Sequence, residues 1–142
     1  MSFAVPLSLR RQAGLYLVAA TWMTALAVTL YPFRFELDVA AVSRIDWRVY
    51  YPRHNDRDLV LNLLMLMPLG AGWALWRSGR ATITRIALEA AAIGVGTALL
   101  IESLQIFERV RFPQLADVWR NGVGCIFGAV VVAWLVSRVR AR

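Results

Sequence analysis

Four membrane-spanning helices are what this sequence predicts, giving an all-α membrane protein with both termini cytoplasmic. Three observations lead there. Apolar residues make up 59% of the 142-residue chain, against roughly 45–50% in a soluble domain, and mean hydropathy is +0.55. The excess is gathered into four runs, each long enough for the roughly 17–25 helical residues that cross about 30 Å of hydrocarbon. The arginines between those runs fall into an acid-free set and an acid-mixed set, which orients the chain. At this length the four runs make one domain, 1–142.

The first run is about 14–31. Arg10 and Arg11 precede it, and Ala25-Leu26-Ala27 imitates a signal-peptide cleavage site. The apolar stretch continues through Leu30, so it reads as an uncleaved span. The loop 32–57 follows. Phe33, Phe35, Leu37 and Val39 alternate with Arg34, Glu36 and Asp38; Ile45, Trp47, Val49 and Tyr51 alternate with Arg44, Asp46 and Arg48. Period two suggests a short β-hairpin, whereas Val39, Val42 and Val49 suggest an interfacial helix. Either form lays Tyr31, Phe33, Phe35, Trp47 and Tyr50 at headgroup level as an aromatic belt. The second run is about 59–76, where Pro68 removes one backbone hydrogen bond and predicts a kink. The third is about 86–107 and the fourth about 118–136. In lipid each must be helical, because every backbone polar group needs an internal partner.

Arg10 and Arg11, then Arg77, Arg80 and Arg85, then Arg138, Arg140 and Arg142 share one side, with no acid among the loops there. The opposite side mixes Arg with Glu36, Asp38, Asp46, Asp56, Asp58, Glu108 and Asp117. The acid-free, short-loop side is expected in the cytoplasm, with loop 32–57 facing the periplasm or exterior. A net charge of +7 spread over short loops is not a nucleic-acid surface. All sixteen basic residues are Arg, which suggests a GC-rich bacterial genome and a multi-pass protein of the bacterial inner (plasma) membrane. The lone Cys125 excludes an internal disulfide, and the lone His54 reads as a solvated loop residue. Together they supply neither a metal set nor a Cys/His nucleophile pair. No phosphate-cradling glycine loop appears. Catalytic residues, metal and cofactor are all expected to be none.

Ionisable groups inside a span are costly, so each reads as a site or as a clasp between helices. Ala91, Gly94, Ala98, Glu102 and Gln105 fall on one stripe of the third span. Asp117, Asn121, Gly124 and Gly128 do the same in the fourth, and Asp58, Asn62, Met65 and Gly72 in the second. Small residues let helices approach and polar ones bond across the contact, so the third and fourth spans are expected to touch through Ala98 and Gly124. The second and fourth spans both open with Asp-x-x-x-Asn. Asp58 and Asp117 also fit as helix caps, and Asn62 and Asn121 as fasteners. Glu102 lies more than a turn inside its span, and Arg111 is its expected partner. Glu89, four residues after Arg85, is expected to form a surface pair with it.

These motifs give the chain a resemblance. Tyr31-Pro32-Phe33-Arg34-Phe35, then Asp58-x-x-x-Asn62 with Pro68-Leu69-Gly70, then Glu102-x-x-Gln105-x-Phe107, Arg111 and Asp117-x-x-x-Asn121-x-x-Gly124-x-x-x-Gly128 resemble the VanZ-like family of small bacterial membrane proteins. The match runs from about Tyr31 to Gly128, with Met67 standing where an aromatic residue is more common. The namesake is associated with resistance to the glycopeptide teicoplanin, an activity not carried over here. The resemblance implies a shared polar site at Arg34, Asp58, Asn62, Glu102, Gln105, Arg111, Asp117 and Asn121. The expected function is an outer-leaflet pocket that binds or modulates an envelope lipid or lipid-linked precursor, without catalysis. Arg34 and Arg111 would meet a phosphate there. Two alternatives stand beside it: an accessory subunit held by partner membrane subunits, and a lipid-phosphate-processing enzyme with Glu102 or Asp117 as general base.

Overall fold

The computed structural model describes residues 6–49 and 56–140, without the side chains of Val39, Asp56 and Arg140. The sequence readings at Tyr50, Tyr51, His54 and Arg142 lie outside them. The helices are α1 (Leu7–Leu30), α2 (Asp56–Met65), α3 (Met67–Arg77), α4 (Ile83–Ile106) and α5 (Leu115–Arg140). Four stretches are long and apolar enough to cross a membrane: Leu7–Leu30, Arg57–Arg77, Ile83–Ile106 and Leu115–Val139. They overrun the apolar runs at most ends. A helix continues through polar residues such as Arg10 and Arg11 while its backbone bonds are made.

The second span is broken at Leu66, where the backbone leaves helical geometry (φ −100°, ψ 3°). Pro68, at the start of α3, has no N–H to give Leu64, and its ring crowds that carbonyl. The kink expected from Pro68 is therefore present. It divides the span between two partners. The α3 half presses on α1: a Cβ added at Gly14 would lie 2.6 Å from the Gly72 carbonyl oxygen. The α2 half leans on α5: a Cβ at Gly124 would overlap the Leu63 carbonyl.

That last contact corrects one expectation. Gly124 and Gly128 face Leu63 and Met67 of the second span, not the third. The third span meets α5 through Gly94 against Cys125 and Val95 against Gly122. Ala98 is buried, as its stripe implies. Helix α5 thus sits between α4 and α3, α1 packs on α3, and α1 touches α4 only lightly. Ala90, Ala98, Ile101, Cys125 and Ala129 form the centre of the core. Small side chains dominate it because packing, not exclusion of water, joins helices in lipid.

The start of α1, the 78–82 turn and the end of α5 lie together; Ser78 and Ser137 line one cavity there, and Trp76 meets Gly14. We name this the turn end. Loops 31–49 and 107–114 form the opposite, cap end. No hairpin forms among the described residues. A 3-10 helix, Val39–Arg44, occupies the middle of the first loop. The extended residues on either side pair with the second loop instead: Glu36 N–H donates to Phe107 O (2.8 Å), Arg109 N–H to Arg34 O (3.0 Å), and Asp46 N–H to Pro113 O (2.9 Å). Period two was a sound sign of extended backbone. Its partner was another loop at the same end of the bundle.

Candidate functional site

Helices α1 and α4 both end at the cap, and their last carbonyls need donors where water is scarce. Backbone N–H groups of the following turns supply some, and arginines supply others. Arg111 Nη2 donates to Val28 O (3.1 Å) and Tyr31 O (2.9 Å), and its Nε to Tyr31 O (3.2 Å). Gln105 Nε2 adds a bond to Thr29 O (3.1 Å). Arg44 reaches the last carbonyl of α4, Ile106 O (2.8 Å), and two in the loop that follows, Arg109 O (3.1 Å) and Glu108 O (3.3 Å). A cation at a helix C-terminus also meets the negative end of the dipole. The expected pairing of Glu102 with Arg111 is therefore corrected. The unpaired carbonyls of α1 hold that guanidinium.

Glu102 turns the other way. Its Oε2 accepts from the N–H of Gln114 (2.6 Å), the residue just before α5. A glutamate three residues into a helix often closes that N–H; here one from a neighbouring helix does it. Asp117, which the sequence offered as a cap, instead pairs with Arg120 Nη1 (2.9 Å) one turn on. Asn62 of α2 is its second hydrogen-bond partner, and the negative charges of Asp58 and Glu102 oppose its own. The two Asp-x-x-x-Asn motifs thus face each other across α2 and α5. Asn121 is 2% exposed, and its Oδ1 has no partner among the described residues. Asp58, by contrast, is exposed.

The eight residues expected to converge therefore separate. Asp58, Asn62, Glu102, Asp117 and Asn121 gather between α2, α4 and α5. Gln105 and Arg111 are spent on α1. Arg34 lies on the exposed cap, where its backbone N–H donates to Glu108 Oε1 (2.7 Å). Glu108 was missed by sequence reasoning. It is fully buried in the cap and also takes the Val110 N–H (2.8 Å). Burial pushes its carboxyl up, but the N–H groups of Val110 and Arg34 and the charges of Arg111 and Arg34 outweigh that and hold it below the usual range. Nothing in the sequence separates it from its loop neighbours. Arg120 was missed too, and it did leave a signal: it is the one charge inside the fourth apolar run, three residues after Asp117. Its side chain is 3% exposed and stands over the Trp119 ring at 5.7 Å. Trp119 Nε1 in turn ties α5 to the first loop through Val49 O (2.9 Å).

The set is rich in acceptors and holds one cation. Among the described residues no three His, Cys, Asp or Glu side chains are grouped to hold a metal ion. No curated protein and no solved structure matches the chain. The VanZ/LLP1 family model does, over residues 5–136, a range that contains all four spans but the last three residues of α5's. The resemblance carried by the Glu-x-x-Gln and Asp-x-x-x-Asn motifs is borne out, and the chain belongs to the VanZ/LLP1 family.

Proposed function

We propose that the cluster of Asp58, Asn62, Glu102, Asp117 and Asn121 binds the polar headgroup of an envelope lipid or lipid-linked precursor in the outer leaflet, without catalysis. One observation carries this reading: Glu102 is a carboxylate inside a span that receives a single backbone donor while Asp117 stands beside it. Glu102 is half-buried, and its unused acceptor capacity suits a ligand that brings its own donors. Amine and hydroxyl groups fit such a site better than a bare phosphate. Arg34 is exposed on the cap and stays outside this cluster.

The arginines at the turn end, whose connecting loops hold no acid, support a cytoplasmic turn end in a bacterial inner membrane. Labelling of Arg80→Cys by an impermeant reagent from outside intact cells would overturn that orientation. Native mass spectrometry from mild detergent tests the binding. The wild type retains a lipid adduct that Glu102→Gln and Asn121→Ala weaken. An adduct unaffected by both variants sinks the pocket, and a co-purifying membrane protein in its place supports the subunit alternative.

A further inference from the structure

We infer that the cleft between α1 and α2 seats an acyl chain of a phospholipid, with its phosphate held between Arg57 and Arg111. The break at Leu66 creates the cleft. Below it α3 is pressed on α1; above it α2 follows α5 and leaves α1 behind. The resulting space is about 560 Å³ and is lined by Leu17, Thr21, Val28, Leu61, Leu64 and Pro68 among others. The Thr21 hydroxyl donates to Leu17 O (2.7 Å), and the wall is otherwise apolar except at Thr24. Hydrocarbon is the occupant that such a wall tolerates. From Leu17 to Val28 the cleft follows α1 for roughly 16 Å at 1.5 Å per residue. That matches one leaflet, half of the about 30 Å hydrocarbon core.

Two guanidinium groups stand at the cap end of the cleft. Arg111 sits on the carbonyl of Val28, a lining residue, and its Nη1 makes no hydrogen bond among the described residues. Arg57 is exposed and shares one stripe of α2 with Leu61 and Leu64. Asp56 and Asp58 flank Arg57 in the sequence, and Asp58 steps off that stripe. Two guanidinium groups over an apolar slot one leaflet deep match an anionic phosphate carrying a chain. Free phosphate would have no use for the slot, and a diacylglycerol none for the arginines.

This deepens the lipid-binding proposal, and the two fail separately. The experiment adds dioleoyl phosphatidylglycerol, or dioleoylglycerol as control, to the purified full chain and reads adducts by native mass spectrometry. The wild type binds the phosphatidylglycerol. Arg57→Gln weakens it about fivefold, as expected for one surface arginine. Leu64→Trp fills the cleft and loses the adduct. Leu88→Trp, an equal bulk on the exposed face of α4 (Leu88 is 68% exposed), changes nothing. Retention by Leu64→Trp, equal loss in Leu88→Trp, or equal binding of dioleoylglycerol each overturns the cleft reading. Loss in Glu102→Gln alone moves the lipid to the carboxylate pocket and also overturns it. Loss in Leu64→Trp alone keeps the cleft and removes the pocket.

Discussion

Helix α4 carries a glutamate near each end, and their surroundings differ sharply. Glu89, at the turn end, takes Arg77 Nε (2.7 Å) and Nη2 (2.6 Å), Arg85 Nε (3.1 Å) and Trp73 Nε1 (3.0 Å). The surface pair expected with Arg85 exists, but Arg77 makes it a joint between α3 and α4. Glu102, toward the cap, takes one backbone N–H and faces like charge from Asp117. Position inside an apolar helix is thus a poor guide to role. The number of donors that reach the carboxylate separates a joint from a place with capacity to spare.

The comparison breaks most easily at Glu89. Glu89→Gln leaves Arg77, 16% exposed, without its counter-charge and should cost about 3 kcal/mol, whereas Glu102→Gln keeps an acceptor for Gln114 and should cost no more than about 1 kcal/mol. Chemical denaturation in detergent reads both, and equal losses would erase the distinction. Gly124→Leu comes next, at about 2 kcal/mol, because the added side chain must displace the Leu63 backbone. It should loosen the Asn62–Asp117 contact and leave the Glu89 joint intact. Hydrogen exchange should rise at the cap end alone; unchanged stability would mean that Gly124 faces lipid. Combining Glu89→Gln with Arg77→Gln should recover on the order of 1 kcal/mol relative to additivity. Strict additivity would show that the joint is not a pair.

The smallest effect concerns Glu108, the buried acid of the cap. Its carboxyl is held below its ordinary value of 4.5, so its contribution is fully present above pH 4.5. That contribution is lost as pH falls through the lower, folded value. Glu108→Gln should therefore flatten the acid side of a thermal-stability profile in detergent. An unaltered profile would remove Glu108 from the cap's stabilising set.

The four spans and the Pro68 kink were legible because length and hydropathy dictate them. Which faces touch was only half legible. The stripe of Gly94 and Ala98 was rightly read as a packing face. The stripe of Gly124 and Gly128 carries no label for its partner, and the second span claimed it. The arginines of the cap misled for a different reason. Sequence offers charges, and a charge invites an opposite charge, but Arg44 and Arg111 answer backbone carbonyls that no sequence pattern displays. Glu102 lost its expected partner for the same reason. Its bond to the Gln114 N–H depends on where α5 begins, not on the residue type there.

The divided second span has a consequence for assembly. The ribosome delivers the chain from its N-terminus, at about 5–20 residues per second. When Arg77 has emerged, α3 can already close on α1, since that contact lies between successive spans. Helix α2 lies between α1 and α3 in sequence but does not share that contact. Its chief support is α5, which is made last. Until then Asn62 waits at the membrane without the Asp117 carboxylate that it bonds. The last helix is the one that completes the second.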